Sequence, residues 1–316
     1  MISKIINEIE AGTSFLITTH ENPDGDAIGS TMALGCFLRS MGKDVTVYYC
    51  DPVPDNYLFL PLAESAVLAI PDRSFDVSFV LDAGELKRAG EEFVSFPGKG
   101  TIVNIDHHPY GEQFGDINLV DPKASATGAI IYRIIKQSGH VVDYGTALCI
   151  YTAIVTDTGS FRYSNADPEA FRITGELVEL GINPWFIAER LYESQPRKRL
   201  ELLALALATL TVSERGYFAS VTVTLDMYEK TGAGPDLTDG FVNYPRSIHG
   251  VEVAVLFREV RQGVYKVGFR SKGKVNVSAL AAAFGGGGHH NAAGCVVNGS
   301  IDEVKKTVFS YLENAF

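Results

Sequence analysis

The sequence predicts an α/β protein with a doubly wound, mostly parallel sheet, followed by a smaller mixed α/β domain. In the first half of the chain, short apolar segments rich in β-branched residues alternate with helix-like segments. This alternation is typical of parallel sheets with right-handed crossovers. The last third contains three strand-like segments and a final helix-like segment. A chain of 316 residues with 46% hydrophobic content is long enough to form two ordinary cores.

The first half contains apolar runs that are typical of buried parallel strands. The runs that predict strands are FLITTH (15 to 20), DVTVYY (44 to 49), VSFVLDAG (77 to 84) and TIVNIDHH (101 to 108). Helical spacing predicts helices over 26 to 41, 124 to 138 and 145 to 158. Gly42 and Gly159 follow the first and last of these helices, where glycine commonly ends a helix.

Helix-like stretches continue from 167 to 212, and Gln195-Pro196-Arg197-Lys198 between them is the expected hinge. Strands are expected in YFASVTVTLDMY (217 to 228), VEVAVLFREV (251 to 260) and GVYKVGFRS (263 to 271), before a helix at 301 to 314. The predicted organisation is therefore one domain over 1 to 190, a helical linker over 191 to 212 and a second domain over 213 to 316.

Acidic and histidine side chains follow several of the predicted strands and one predicted helix. They are His20, Asp24, Asp26, Asp82, Asp106, His107, His108 and Asp157. Each such residue alone is more often a turn residue or a helix cap than a ligand. Because ligands bind at the carboxyl ends of the strands in open α/β sheets, we expect these residues at one edge of one sheet.

Carboxylates that share a site repel one another, so this cluster predicts bound divalent metal. Mixed imidazole and carboxylate ligands suit Mn²⁺, Co²⁺ or Fe²⁺ better than Mg²⁺. The number of candidate ligands is larger than one metal ion needs. Two ions about 3.5 to 4 Å apart, bridged by one carboxylate, are suited to phosphoester hydrolysis, because one activates water and both stabilise the phosphoryl oxygens.

Two segments of the sequence have more than one interpretation. Asp157-Thr158-Gly159-Ser160 is also found in aspartic proteases, but these need a second such loop and a β-rich context, and neither is visible. The glycines at 285 to 288 are compatible with a flexible linker. A helix-like run before them and a strand-like run after them favour a functional loop instead.

Composition predicts a cytoplasmic protein with no membrane partner. The chain opens without the pattern of a signal peptide, and its longest apolar run, 202 to 212, is shorter than the roughly 20 residues that span a bilayer. Four cysteines without paired spacing indicate reduced thiols and no zinc or disulfide framework.

The net charge of −11 argues against a long nucleic acid as ligand, because polymer binders use many Lys or Arg contacts to phosphates. Between residues 241 and 300, basic residues outnumber acidic ones. The basic residues are Arg246, Arg258, Arg261, Lys266, Arg270, Lys272 and Lys274. Only Glu252 and Glu259 oppose them. A small basic patch in an acidic chain predicts a small anionic ligand, although any one of these residues is equally compatible with a solvated strand edge.

The motifs resemble those of the DHH phosphoesterases. The matching sequence is H-x-N-P-D-G-D-A-x-G-S from His20, L-D at Asp82, D-H-H from Asp106 and T-D-T-G-S-F around Asp157. The segment FRSKGKVNVSALAAAFGGGGHHNAAG (269 to 294) resembles the glycine-rich signature of the DHH-associated domain. The chain is most similar to the short, two-domain oligoribonucleases of the family that also dephosphorylate adenosine 3′,5′-bisphosphate. One departure is Glu85, where many relatives have a second Asp in motif two.

The resemblance implies a role for each candidate residue. His20, Asp24 and Asp82 would hold one metal ion, and Asp26, Asp82, His107 and Asp157 the other, with Mn²⁺ as the expected ion. His108 would contact the scissile phosphate or protonate the leaving oxygen, and Asp106 would orient His107. In the second domain, the expected substrate-binding residues are Arg246, Arg270, Gly286, Gly287, Gly288 and His289.

The implied substrates are short RNA or DNA oligonucleotides, linear dinucleotides such as pApA or pGpG, and adenosine 3′,5′-bisphosphate, acted on by a homodimer. Three alternatives remain open from the sequence: a cyclic-dinucleotide phosphodiesterase, a pyrophosphatase of the family II type, and a noncatalytic nucleotide sensor. The glycine-rich signature argues against the pyrophosphatase. A sensor would be expected to lack some ligands, and every expected ligand is present in the sequence.

Overall fold

The structure is a computed structural model that describes residues 1 to 109 and 111 to 314, except for the side chain of His289. The chain divides into two compact units, Met1–Ser194 and Gln195–Phe316. Each unit has its own sheet and its own hydrophobic core.

The first unit is a five-stranded parallel sheet with helices around it, which confirms the predicted fold class. Its strands are β1 Ser14–Thr18, β2 Asp44–Val47, β3 Val77–Leu81, β4 Thr101–Asp106 and β5 Ile117–Val120. Its helices are α1 Ile2–Ala11, α2 Gly25–Ser40, α3 Glu91–Ser95, α4 Thr127–Gln137, α5 Tyr144–Asp157, α6 Pro168–Glu179 and α7 Pro184–Tyr192. The strand order is β2-β1-β3-β4-β5, so the chain crosses over between strands as a doubly wound sheet requires.

Both faces of this sheet are covered. Phe15 and Phe79 point into the larger core, which contains residues of α2, α4 and α5. Leu16 and Val80, one position along on the same strands, belong to a smaller cluster with Phe93 of α3. Successive strand residues therefore enter opposite cores, which explains why β1 and β3 are apolar without alternation.

Helices α2 and α5 pack closely because glycines on α2 face the backbone of α5. A Cβ atom on Gly29 would lie 2.7 Å from the carbonyl oxygen of Cys149 and 2.9 Å from the amide nitrogen of Ala153. One turn earlier, a Cβ on Gly25 would lie 2.3 Å from Oγ1 of Thr156. This close approach brings the start of α2 beside the end of α5, and both ends hold predicted ligands.

The second unit contains a six-stranded mixed sheet in the order β10-β11-β9-β8-β7-β6. Its strands are β6 Thr211–Val212, β7 Phe218–Val223, β8 Val253–Arg261, β9 Val264–Ser271, β10 Gly287–His289 and β11 Ala292–Asn298. Its helices are α8 Arg197–Ala208, α9 Leu225–Thr231, α10 Asn243–Ser247, α11 Val277–Ala282 and α12 Ile301–Glu313. Only β7 and β8 pair in parallel, so this sheet is mixed as predicted.

The predicted helical linker over 191 to 212 differs from the structure. The unit boundary falls between Ser194 and Gln195, within the first residues of that range. Helix α8 belongs to the second unit, because its residues Leu202 and Ala206 pack in one cluster with Val223 and Phe241. The first part of the apolar run 202 to 212 is therefore core surface, while Leu210 and Val212 at its end are exposed.

Two further local predictions need correction. The strand expected over 217 to 228 ends at Val223, because Thr224 caps α9 with a hydrogen bond from the amide of Met227 to its hydroxyl. The glycine run is not wholly a loop, since Gly287 and Gly288 form β10 and pair with Gly294 and Ala293. Among the described residues, every helix is too short or too polar to cross a membrane.

The contact between α2 and α5 predicts a large effect of one methyl group. Gly29→Ala should lower the free energy of unfolding by about 1 to 3 kcal/mol, because its Cβ meets backbone atoms that have no room to move. The measurement is denaturant unfolding followed by circular dichroism.

Gly175→Ala, on the exposed surface of α6, is the matched control. Its Cβ meets nothing within 4 Å, so it should raise stability by roughly 0.5 to 1 kcal/mol through helix propensity. Equal effects of the two substitutions would contradict the packing argument.

Candidate metal centre

Four segments bring the predicted ligands to the carboxyl edge of the parallel sheet. His20 follows β1, Asp82 follows β3, and Asp106 ends β4 directly before His107 and His108. The other ligands lie on helices that pack against this edge. Asp24 and Asp26 stand at the start of α2, and Asp157 is the last residue of α5.

The predicted ligands form three groups whose ligand atoms lie within 4.8 Å of one another. The groups are His20 with Asp24 and Asp82, Asp26 with His107 and Asp157, and Asp82 with His107 and His108. Asp82 and His107 each belong to two of these groups, so the three groups form one connected cluster. This arrangement agrees with two neighbouring cation sites that share one carboxylate.

The ring of His107 lies among three carboxylates. Its Nε2 atom is 3.6 Å from Oδ1 of Asp82, 3.8 Å from Oδ2 of Asp26 and 3.8 Å from Oδ2 of Asp157. The other ring nitrogen, Nδ1, lies 3.2 Å from the carbonyl oxygen of Ala124. A proton on Nδ1 donated to that carbonyl leaves Nε2 as the coordinating atom, as in other metal-binding histidines.

His20 and Asp24 are held by their own local backbone. Nδ1 of His20 lies 2.7 Å from the carbonyl oxygen of Glu21, which again directs Nε2 toward the cluster. Asp24 is the N-cap of α2, and its Oδ1 accepts hydrogen bonds from the amides of Asp26 and Ala27, both at 3.1 Å. A cap uses one carboxylate oxygen, and the second oxygen remains available to a cation.

Asp26 is tied to the start of α4. Its Oδ2 accepts a hydrogen bond from the amide of Thr127 at 2.6 Å, and its Oδ1 accepts one from the amide of Gly128 at 2.9 Å. The carboxylate is 1% exposed, so these two amides and the positive end of the helix dipole fix it in one orientation.

Asp82 has a left-handed backbone conformation, with a φ angle of 57°. A residue other than glycine in this region costs on the order of 1 kcal/mol or more and persists only where the surroundings enforce it. Here the amide of Asp82 donates to the carbonyl oxygen of Ile105, and the hydroxyl of Thr127 donates to its Oδ1 at 3.0 Å. This conformation turns the carboxylate away from the strand path and into the cluster.

Asp106 orients His108 and not His107, so the expected partner of Asp106 was wrong. Its Oδ1 lies 2.7 Å from Nδ1 of His108 and accepts a second hydrogen bond from the amide of the same residue. Its Oδ2 accepts from the amide of Gly84 at 2.7 Å. The side chains of His107 and His108 point in different directions. Only the folded loop decides which of them contacts Asp106.

The two members of this pair shift each other's pKa. Burial alone would raise the pKa of Asp106, but hydrogen bonds from His108 and Gly84 outweigh it and hold that pKa below its usual range. Burial alone would lower the pKa of His108, but its hydrogen bond to Asp106 outweighs it and raises the pKa. The pair therefore favours a protonated ring beside an ionised carboxylate.

The remaining carboxylates are costly to ionise together without cations. Burial, added to the neighbouring carboxylates, raises the pKa of Asp26 and of Asp82 well above their usual range. Burial, with the charge of Asp24, raises the pKa of Asp157 to about 6. Divalent cations would remove this repulsion, and the oxygen and imidazole donors present suit them. The donor set therefore fits divalent metal ions.

Two residues that support the predicted ligands were not predicted from the sequence. Thr127 binds Asp26 through its amide and Asp82 through its hydroxyl. The side-chain amide of Asn165 donates to Oδ2 of Asp157 at 2.8 Å and to the carbonyl oxygen of Ser125 at 2.9 Å. The only local signal in the sequence was a Thr-Gly pair at a helix start. Such a pair gives no information about hydrogen-bond partners 45 and 101 positions away in the chain.

The residues expected to bind substrate lie in the second unit. Arg270 on β9 is paired with Ala292 of β11, which is paired in turn with His289 of β10, so the three backbone positions form one row across the sheet. Gly286 and Gly288 have no room for a Cβ, which would lie 2.2 Å from the carbonyl oxygen of Gly294 and 2.5 Å from that of Ala292, respectively.

Two other residues that the sequence singled out, Arg246 and Glu85, are not members of this row. Arg246 is in α10, outside the strands of the row. Glu85 forms an ion pair with Lys87 at 2.5 Å and belongs to none of the three ligand groups.

Comparison with known proteins agrees with this geometry. Residues 14–154 match the DHH family N-terminal domain, and residues 217–314 match the DHHA1 domain. The chain is 33% identical over 312 residues to the bifunctional oligoribonuclease and PAP phosphatase NrnA of Thermus thermophilus, covering 98% of this chain and 91% of that protein. It is 27% identical to the protein of the same name from Bacillus subtilis, covering 94% and 93% of the two chains.

Solved structures show the same fold. The crystal structure of an exopolyphosphatase-related protein from Bacteroides fragilis superposes with a TM-score of 0.92 at 32% identity, covering 98% of this chain and 94% of that chain. RecJ of Thermus thermophilus, crystallised with Mn²⁺, gives a TM-score of 0.56 at 14% identity over all of this chain and 55% of its own, which is a likeness of fold alone. The chain belongs to the DHH family and has the DHHA1 domain in its second unit.

Proposed function

We propose that the chain is a two-metal phosphoesterase that cleaves short oligonucleotides and linear dinucleotides such as pApA or pGpG to mononucleotides. The same enzyme would convert adenosine 3′,5′-bisphosphate to AMP. The observation that supports this most strongly is Asp82, which lies within ligand distance of both His20 with Asp24 and His107 with His108. The names of the relatives from Thermus thermophilus and Bacillus subtilis point to these substrates.

The proposed cofactor is a pair of Mn²⁺ ions. His20, Asp24 and Asp82 would hold one ion, and Asp26, Asp82, His107 and Asp157 the other. The proximity of the first three supports the first set, and the second is supported by the distances of 3.6 to 3.8 Å from Nε2 of His107 to its three carboxylates. When bound, such ions supply an activated water and positive charge next to the phosphoryl oxygens.

The chain itself supplies the proton transfer. His108 holds a proton on Nδ1 against Asp106, so Nε2 is the nitrogen that exchanges a proton with the leaving oxygen. Asp106 stabilises the protonated ring, and its bond to the amide of Gly84 fixes the pair relative to the loop after β3. The bond from the water oxygen to phosphorus would form as the bond to the leaving oxygen breaks. The leaving oxygen would take the proton from Nε2 of His108, and the proton released by the water would restore the protonated ring.

The second unit is proposed to contribute substrate-binding groups, namely Arg246, Arg270, His289 and the backbone amides of Gly286, Gly287 and Gly288. The row formed by His289, Ala292 and Arg270 supports this proposal. We further propose a homodimer located in the cytoplasm.

Two other substrate classes share the same chemistry. Cyclic dinucleotides and pyrophosphate both present phosphoryl groups to a two-metal site, and one relative of known structure is described as exopolyphosphatase-related. A panel of pApA, pGpG, adenosine 3′,5′-bisphosphate, cyclic dinucleotides and pyrophosphate, with products separated by chromatography, distinguishes them. We expect the linear dinucleotides and the bisphosphate to be cleaved most efficiently, and a preference for pyrophosphate would contradict the proposal.

Chelation should abolish activity and lower the melting temperature, because the emptied cluster leaves buried carboxylates in mutual repulsion. The measurement is turnover of pApA together with thermal unfolding, before and after exhaustive dialysis against a chelator. Readdition of Mn²⁺ should restore both quantities. Undiminished turnover after metal removal, checked by elemental analysis, would rule out the metal mechanism.

Asp82→Asn should reduce turnover by at least about 100-fold while the protein stays folded. Asparagine keeps the shape, tolerates the left-handed backbone and still accepts a hydrogen bond from Thr127, so only the bridging charge is lost. Metal analysis should show fewer than two ions per chain. Glu85→Gln, an acid on the same loop outside the ligand groups, is the control and should behave as wild type.

Substrate length should limit the rate. A long strand would have to lie on the surface of a chain with a net charge of −11, where extra phosphates meet repulsion. We expect kcat/KM to be highest for roughly two to five nucleotides and to fall beyond that length. The measurement compares RNA lengths at fixed salt, and equal efficiency on a 24-mer would contradict it.

A further inference from the structure

Arg88 is a cation beside the metal centre that none of the proposed roles uses. It lies six residues after Asp82, in the short 3-10 turn Leu86–Ala89, and is half-buried. Its own amide donates to the carbonyl oxygen of Glu85, which closes this turn. The turn places the side chain on the same loop as the bridging carboxylate.

Arg88 contacts the loops that hold two different ligands. Its Nη1 donates a hydrogen bond to the carbonyl oxygen of Ala83, the residue directly after Asp82, at 3.0 Å. Its carbonyl oxygen accepts a hydrogen bond at 2.6 Å from the amide of Glu21, the residue directly after His20. Arg88 is therefore fixed beside the first ligand group and close to the shared carboxylate.

The charge of Arg88 has no ion-pair partner in the part of the chain that the structure describes. Among residues 1 to 109 and 111 to 314, no carboxylate lies within ion-pair distance of its guanidinium, whereas Arg133 pairs with Asp121 and Glu169. This charge lies beside two ligands, because the backbone of Arg88 is bonded to the residue after His20 and its guanidinium to the residue after Asp82. A positive charge that acts on a ligand opposes metal binding at that ligand.

A cation beside a cation site is favourable only when an anion lies between them. A guanidinium offers five N–H donors in a planar fork that matches two oxygens of a phosphate, and Ala83 occupies one donor. We propose that Arg88 is a further catalytic residue, whose guanidinium binds the nonbridging oxygens of the phosphoryl group under attack. This inference rests on the proposed phosphoesterase function.

Arg88 would act by charge and orientation and would transfer no proton. During hydrolysis, negative charge accumulates on the phosphoryl oxygens, and a fixed guanidinium stabilises that charge more in the transition state than in the bound substrate. Its fixed position relative to His20 and Asp82 means that the phosphate is oriented by the same loops that hold the ligands.

The test compares Arg88→Gln with Lys87→Ala. Glutamine retains a donor for the carbonyl oxygen of Ala83 but removes the charge. Lys87 is the adjacent cation, but it is exposed and paired with Glu85, so it controls for net charge. The measurements are binding of inorganic phosphate to the Mn²⁺-loaded protein, binding of Mn²⁺ by calorimetry, and kcat/KM for pApA.

Arg88→Gln should weaken phosphate binding by roughly 10-fold and lower kcat/KM by about 100 to 1000-fold, as loss of one transition-state donor does. Its affinity for Mn²⁺ should stay the same or rise, because a repulsive charge is gone. Lys87→Ala should match the wild type within about twofold. Arg88→Lys, which retains charge without the fork, should fall between the two.

Two results would overturn the proposal. One is phosphate affinity within twofold of wild type in Arg88→Gln. The other is a loss of Mn²⁺ affinity equal to the loss of phosphate affinity, which would assign Arg88 a purely structural role. If the proposed function failed instead, the wild-type protein would leave pApA intact, while the phosphate comparison would still report on Arg88.

Discussion

Repulsion among buried carboxylates at the carboxyl edge of one sheet is the constraint on which this structure depends. Asp26 and Asp82 are almost fully buried, and Asp157 is largely so. Each is brought within ligand distance of a histidine. Such a cluster is stable only with cations, with protons, or with hydrogen bonds that hold each carboxylate in place. The fold supplies the hydrogen bonds, and the donor set suits divalent cations.

Much of that support comes from one short segment, residues 124 to 128 at the start of α4. Its carbonyl groups orient His107 directly and Asp157 through Asn165, while the amide and hydroxyl groups of Thr127 bind Asp26 and Asp82. A single helix start thus determines the orientation of four ligands that come from four other segments. The tight packing of α2 on α5 has a complementary effect. It sets the distance between Asp26, at the start of α2, and Asp157, at the adjacent end of α5.

The charge distribution is consistent with a small anionic substrate. The chain is acidic as a whole, so long polyanions are repelled, yet Arg88 stands at the metal centre without a carboxylate partner among the described residues. In this interpretation, bound cations offset the negative charge of the protein's carboxylates. The guanidinium of Arg88 adds selectivity for a phosphoryl group. Asp106 is hydrogen-bonded to His108, the pair for which proton transfer is proposed, and His108 also lies 3.5 Å from Oδ1 of Asp82.

The sequence by itself determined strands β1 to β4, the helix boundaries near Gly42 and Gly159, and the residues that meet at the sheet edge, but not β5. These depend on periodicity and on strand ends, which are local properties of the chain. Family motifs added the grouping of ligands around Asp82. Only the tertiary structure decided that Asp106 binds His108, that Thr127 joins Asp26 to Asp82, that α8 belongs to the second core and that Arg88 lies beside His20. Most of these contacts join residues far apart in the chain, and helix packing selects them from several partners that the sequence leaves equivalent.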